Sequence, residues 1–168
     1  MPHIGEMVLY GTSGACCVTG LMDMGQGDYY VLVPHHKQKT KVYVPANNPE
    51  LVEKMKPLPR KGELLKDLGK VAHTAPTWVD DMSTRREKAG EVIRRGDEIE
   101  LMMLVKCFTD RKAKMLNEGC KKKFAVTDNQ ILQSAQERLF DEFSAVFCID
   151  YDDVEDFILE RTGYLQGC

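Results

Sequence analysis

Trp78, Arg85, Arg86 and Lys88 form a group whose residue types and spacing suggest a shared task, and Trp78 is the only tryptophan among 168 residues. A large flat apolar ring followed by guanidinium and ammonium groups suits a surface that stacks on bases, or wedges between them, while cations hold phosphates. The same residues suit a plainer role, in which the indole caps a local core and the cations form a solvated face. From these residues alone the plainer role carries more weight, because tryptophan is usually largely buried. Lys121, Lys122 and Lys123 add three consecutive cations. Their mutual repulsion places them in water or against an anion. They join the candidate group if their loop lies on the face that carries Arg85 and Arg86.

Other chemistry is poorly represented. No GxxxxGK[ST], GxGxxG or HExxH run occurs. The run Gly11, Thr12, Ser13, Gly14 joins two predicted strands and reads as a turn, because no helix N-terminus follows to hold phosphate. His35 and His36 are adjacent, as are Cys16 and Cys17; on a strand such neighbours point to opposite sides, which is poor geometry for one metal. Asp150, Asp152, Asp153, Glu155 and Asp156 lack the glycine and terminal glutamate of a calcium loop and read as charges at a helix N-terminus. The six cysteines, Cys16, Cys17, Cys107, Cys120, Cys148 and Cys168, are dispersed without a CxxC pair, which suits free thiols in a reducing compartment. The expectation is a protein with no catalytic residues, no metal and no cofactor.

The elements that must position these residues divide in two. Up to about residue 58 the chain alternates short β-branched and aromatic runs with turns. Residues 7–10, 14–22, 28–33 and 39–45 read as strands, with Gly20 at a bulge, and a last strand falls near 54–58. Asn47, Asn48 and Pro49 make a turn. From residue 59 the period becomes helical. A first helix over 63–69 stops at Gly69. A second is predicted to open at Thr77 as N-cap, with Asp80 and Trp78 in its first turn, and to end at Gly96. A third follows Asp97 and ends near residues 117–119. A fourth is predicted from a capping box, Thr127 with Gln130, and a staple, Val126 with Ile131; its inward stripe is Ile131, Leu132, Ala135, Leu139, Phe143, Val146 and Phe147. A fifth opens at Asp150, with Val154, Phe157 and Ile158 inward. The fold class is therefore α+β: a small curled β domain, 1–58, followed by an all-α domain of about five helices, 59–168.

Composition agrees with a soluble globular protein, at 43% hydrophobic and 29% charged residues. No run is apolar enough to span a bilayer, and the N-terminus has no signal-peptide pattern, so the expected location is the cytoplasm. The formal net charge of −3 hides an asymmetry: residues 1–59 are neutral, residues 60–125 carry +5 and residues 126–168 carry −8. A basic middle is compatible with a local phosphate-binding face, and equally with helices whose outer faces differ in sign.

The order and spacing of several pieces resemble the CarD family of bacterial transcription regulators over nearly the full length. They are Ile4, Gly5, Glu6, Met7, Val8, Leu9, Tyr10, Gly11 and Gly14; then Tyr29 to Leu32; then Lys41 to Pro45; then Trp78, Arg85, Gly96, Asp97, the Lys121 and Lys122 region, and 135–143. The resemblance implies a Tudor-like β domain that binds the RNA polymerase β subunit, a module shared with transcription-repair coupling factors. It implies docking through an edge strand, here Lys41, Val42, Tyr43, Val44 and Pro45, with Tyr43 where some relatives carry arginine. It implies a helical domain that touches promoter DNA at the upstream edge of the melted region without reading sequence. There Trp78 would wedge into the minor groove, and Arg85 would serve the phosphate backbone. Charge and placement add Arg86, Lys88, Lys121, Lys122 and Lys123. The implied outcome is a change in open-complex stability by a protein expected to be monomeric, with a swapped dimer across 57–59 as the alternative. Three other readings stay open: a polymerase- or peptide-binding adaptor without DNA contact, a methyl-lysine reader caging its ligand with Tyr10, Tyr29, Tyr30 and Tyr43, and an enzyme acting through histidine or cysteine.

Overall fold

The computed structural model describes residues 1–162; Cys168 and the end of the predicted helical domain lie outside the described residues. Five strands form one antiparallel sheet: β1 (Met7–Tyr10), β2 (Ala15–Asp23), β3 (Asp28–Pro34), β4 (Val42–Pro45) and β5 (Met55–Pro57), in the order β4-β3-β2-β1-β5. The predicted bulge is present. The β2–β3 register shifts between Val18 and Gly20, so Val18 faces Leu32 and Gly20 faces Val31. Gly11–Ser13 forms a single 3-10 turn between β1 and β2, as its composition required. Val8, Cys16, Val18, Tyr30, Leu32, Val44 and Met55 fill the core of this sheet. The fourth strand is shorter than its alternation suggested: Thr40 N–H closes a turn on the Lys37 carbonyl, and Lys41 precedes the strand. Asn48 does more than turn the chain. Its side-chain oxygen caps the one-turn helix α1 (Pro49–Val52) by accepting from Leu51 N–H at 3.3 Å.

Five helices follow: α2 (Lys61–Ala72), α3 (Met82–Arg95), α4 (Glu98–Asn117), α5 (Val126–Phe147) and α6 (Val154–Thr162), the last preceded by a 3-10 turn over Tyr151–Asp153. They pack around Leu64, Leu68, Val71, Leu101, Met102, Val105, Phe108, Leu132, Ala135, Leu139, Phe143, Val146, Val154 and Ile158. The architecture is α+β, as expected.

Three helix starts and stops differ from the sequence reading. The first helix runs through Gly69 to Ala72, because Val71 continues the buried stripe of Leu64 and Leu68. That burial outweighs the roughly 1 kcal/mol that glycine costs inside a helix. Helix α3 begins at Met82 and not at Thr77, with Asp81 as its cap accepting from Thr84 N–H at 2.8 Å. Trp78 therefore lies in the segment before the helix. Helix α5 has no capping box: it opens at Val126 after Ala125, so Thr127 is already helical, and Val126 is 74% exposed and staples nothing. The left-handed cap at Gly96 and the Asp97 cap of α4 are as predicted.

The two parts meet along α5. Asp141 accepts N–H bonds from Ala15 and His36, Arg138 donates to the Gly11 carbonyl, and His35 shares a 3.2 Å hydrogen bond with Ser144 Oγ. The His36 ring stacks on Tyr151 at 3.9 Å. The histidine pair thus joins the two parts of the molecule.

Candidate functional site

The segment between α2 and α3 carries Trp78, and its backbone carbonyls are claimed by side chains from two helices. Lys106 Nζ on α4 donates to Val71, Ala72 and Thr74 carbonyls at 3.0, 3.1 and 2.8 Å. Cys107 Sγ, also on α4, is a thiol whose pKa burial raises, so it keeps its proton and donates to Thr77 O at 3.5 Å. Arg85 on α3 donates through one terminal nitrogen to Val79 O at 2.8 Å and Asp80 O at 3.0 Å. The Cys107 and Arg85 contacts occupy the Thr77, Val79 and Asp80 carbonyls, acceptors that a helix starting at Thr77 would have offered to its own N–H groups, in keeping with the later start of α3.

Trp78 is half-buried. Its ring meets Phe108 edge-on at 5.2 Å and tilts against Phe124 at 6.4 Å. Arg85 Cζ lies 4.4 Å and Arg111 Cζ 5.4 Å from the indole centroid. Lys112 Nζ stands 6.0 Å over Phe124. An aromatic platform of Trp78, Phe108 and Phe124 is thus bordered by cations. A groove of about 260 Å³ runs alongside it, lined in part by Pro76, Trp78, Lys88, Met103 and Leu104.

The predicted cations divide by position. Arg85 is 8% exposed and Asp128 is 3% exposed. Nε and the second terminal nitrogen of Arg85 reach the two Asp128 carboxylate oxygens at 2.9 and 2.8 Å. A guanidinium engaged in this way is not presented to a phosphate. Arg86 and Lys88 are exposed, and Lys88 borders the groove beside Trp78. Lys121, Lys122 and Lys123 are exposed in the loop that leads into Phe124, so the contact of Phe124 with Trp78 brings that loop to the platform. Arg111 and Lys112 were not singled out from sequence. Their positions three and four residues after the buried Phe108 were the available signal, since such residues share a helix face.

On the β domain, β4 pairs with β3 and ends the sheet. Val44 is fully buried and pairs with Tyr30, while Tyr43 pairs with Val31 and is 41% exposed. The strand therefore holds itself down through one face and offers its outer backbone edge beside an exposed aromatic ring. Tyr30 and Tyr43 lie on opposite faces, so they do not share a cage. No group of three or more His, Cys, Asp or Glu side chains with metal-binding geometry occurs among the described residues. No helix among them is long and apolar enough to cross a membrane.

Residues 3–56, which span the whole sheet up to the middle of β5, match the family described as the CarD-like/TRCF RID domain. That family comprises RNA polymerase-interacting modules without enzymatic activity of their own. No curated protein matches the chain.

Proposed function

From the match of its N-terminal domain to the CarD-like/TRCF RID family, an RNA polymerase-interacting family, we propose that this protein is a transcription regulator acting on promoter complexes. The β domain docks on the polymerase β subunit by its β4 edge, and the helical domain contacts promoter DNA at the upstream edge of the bubble. The observation that carries the DNA half of this reading is the half-exposed Trp78 platform, with Arg111, Lys112 and the Lys121 to Lys123 loop around it. Aromatic wedges in the minor groove stabilise distorted duplex, and cations along the backbone supply affinity without reading sequence. A base–aromatic contact contributes roughly 1–3 kcal/mol. Where it forms only in the open promoter, about 1.4 kcal/mol shifts the open/closed ratio tenfold. A chain of net charge −3 binds free DNA weakly, and tethering to polymerase raises its concentration beside the promoter.

A second reading, an adaptor that binds polymerase without touching DNA, is favoured by one observation: Trp78 packs on Phe108 and Phe124 as part of the helical core. The lifetime of open complexes formed by bacterial RNA polymerase separates the two. It is measured with wild type, with Trp78→Ala and without added protein. The wedge predicts that wild type alters the lifetime and Trp78→Ala does not, at equal polymerase binding. Equal lifetimes with bound wild type and bound variant favour the adaptor, and absence of polymerase binding removes both.

A further inference from the structure

We propose that Arg85, held by Asp128, is the residue that positions Trp78; the inference rests on the wedge reading above. One guanidinium makes three kinds of contact at once. Nε and one terminal nitrogen are anchored on Asp128 of α5, a helix distant in sequence. The other terminal nitrogen grips the carbonyls of Val79 and Asp80, the two residues directly after Trp78. The planar centre lies 4.4 Å from the indole centroid and covers one side of the ring. Lys106 and Cys107 hold the preceding side of the segment through the Thr74 and Thr77 carbonyls.

The consequence is preorganisation. A wedging side chain that is already fixed gives up little rotamer freedom on binding, so more of its contact energy appears in the complex. The arrangement needs arginine, because a planar fork can bond a carboxylate with two nitrogens, reach backbone carbonyls with the third and stack on a ring; an ammonium cannot do all three. Turning Arg85 outward to a phosphate would leave Asp128 as an unpaired buried charge. The basic residue nearest the tryptophan in the helix therefore aims the ring, and the partly exposed Arg111 and Lys112, with the exposed Lys121 to Lys123, meet the DNA.

Because Trp78 is the sole tryptophan, its fluorescence reports on the ring directly. The double variant Arg85→Met/Asp128→Leu removes the pair without stranding a charge. Expected for the full-length folded double variant are a drop in Trp78 anisotropy, greater acrylamide quenching, polymerase affinity unchanged, and an open-complex effect reduced to that of Trp78→Ala. Wild-type anisotropy and quenching in that variant would overturn the positioning role, whatever DNA does. If Trp78→Ala itself leaves the open-complex lifetime at the wild-type value, the wedge reading fails instead, and the fluorescence still decides the positioning. Should the double variant not fold, Arg85→Lys, which retains a cation beside Asp128, is read by the same four measurements and the same two outcomes.

Discussion

Asp141 and Ala15 are 126 residues apart, yet the Asp141 carboxylate accepts the Ala15 amide N–H at 2.9 Å. Its other oxygen accepts His36 N–H at 3.1 Å, so one side chain of α5 holds the start of β2 and the turn that follows β3. Gly14 makes the approach feasible: a Cβ there would stand 2.6 Å from the same carboxylate, and its φ of 72° suits glycine. Ala15 is fully buried. Asp141→Ala strands its N–H group, and the expected destabilisation is about 1–3 kcal/mol. Urea unfolding monitored by circular dichroism checks it, with an unchanged midpoint counting against the link.

Glu142, one residue further on, is fully buried, and neither carboxylate oxygen has a hydrogen-bond partner among the described residues. Burial first, and the nearby Glu98 carboxylate second, push its pKa from 4.5 up to about 8, while Arg138 pulls the other way. The folded state then holds a proton that the unfolded chain releases. This group's stabilising effect is complete below about pH 4.5 and is lost as the pH rises to about 8. The slope in that window is up to about 1.4 kcal/mol per pH unit. Glu142→Gln should flatten the slope and be the more stable protein at pH 8. Melting temperatures of both proteins across pH 5–9 show whether the two curves diverge.

Tyr43 stands on the outer side of the edge strand and is 41% exposed. Tyr43→Asp leaves the buried Val44 and Tyr30 pair in place, so the fold should keep its stability. Polymerase affinity should fall about tenfold or more, equivalent to about 1.4 kcal/mol. Surface-immobilised bacterial RNA polymerase provides the measurement, and undiminished binding would move the docking site off this edge.

Replacing Lys121, Lys122 and Lys123 together by alanine should weaken the effect on open complexes and its salt dependence, because all three are exposed beside the Trp78 platform. Removal of one phosphate-neutralising cation lowers the slope of log affinity against log salt by about 0.9 on duplex DNA. A titration of the open-complex effect from low to moderate salt reads the slope. A slope equal to wild type would return this loop to plain solvent exposure.

Gly96 ends α3 at φ 65°, and a Cβ there would run into the Arg138 guanidinium, itself bonded to Gly11. Gly96→Ala meets both the left-handed backbone penalty of about 1–2 kcal/mol and this collision. Thermal melting should show a clear drop. A wild-type melting temperature would mean that Arg138 can move away freely.

The α+β order of elements was legible because it depends on local signals. The β-branched runs before residue 58, the glycine at the β2 bulge, Gly96 and Asp97 between two helices, and the apolar stripe of α5 each act within a few residues of themselves. Trp78 was legible as a residue of note and misplaced by several positions relative to the helix. Thr77 and Asp80 do form a plausible cap, but carbonyls that such a helix needs are taken by Arg85 and Cys107. The farther of those donors is 30 residues away in sequence, and no local pattern announces it.

The sequence by itself determined which segments become strands and helices, where charge accumulates, and that one tryptophan stands beside a basic stretch. Only the tertiary structure decided which cations face outward. Arg85 and Arg86 are neighbours of the same charge, yet a helix turns successive residues by about 100°. The turn carries Arg85 onto Asp128 inside the protein and leaves Arg86 in solvent. That sorting depends on a carboxylate 43 residues away and on the packing of α3 against α5, which is why it was invisible in the chain and plain in the fold.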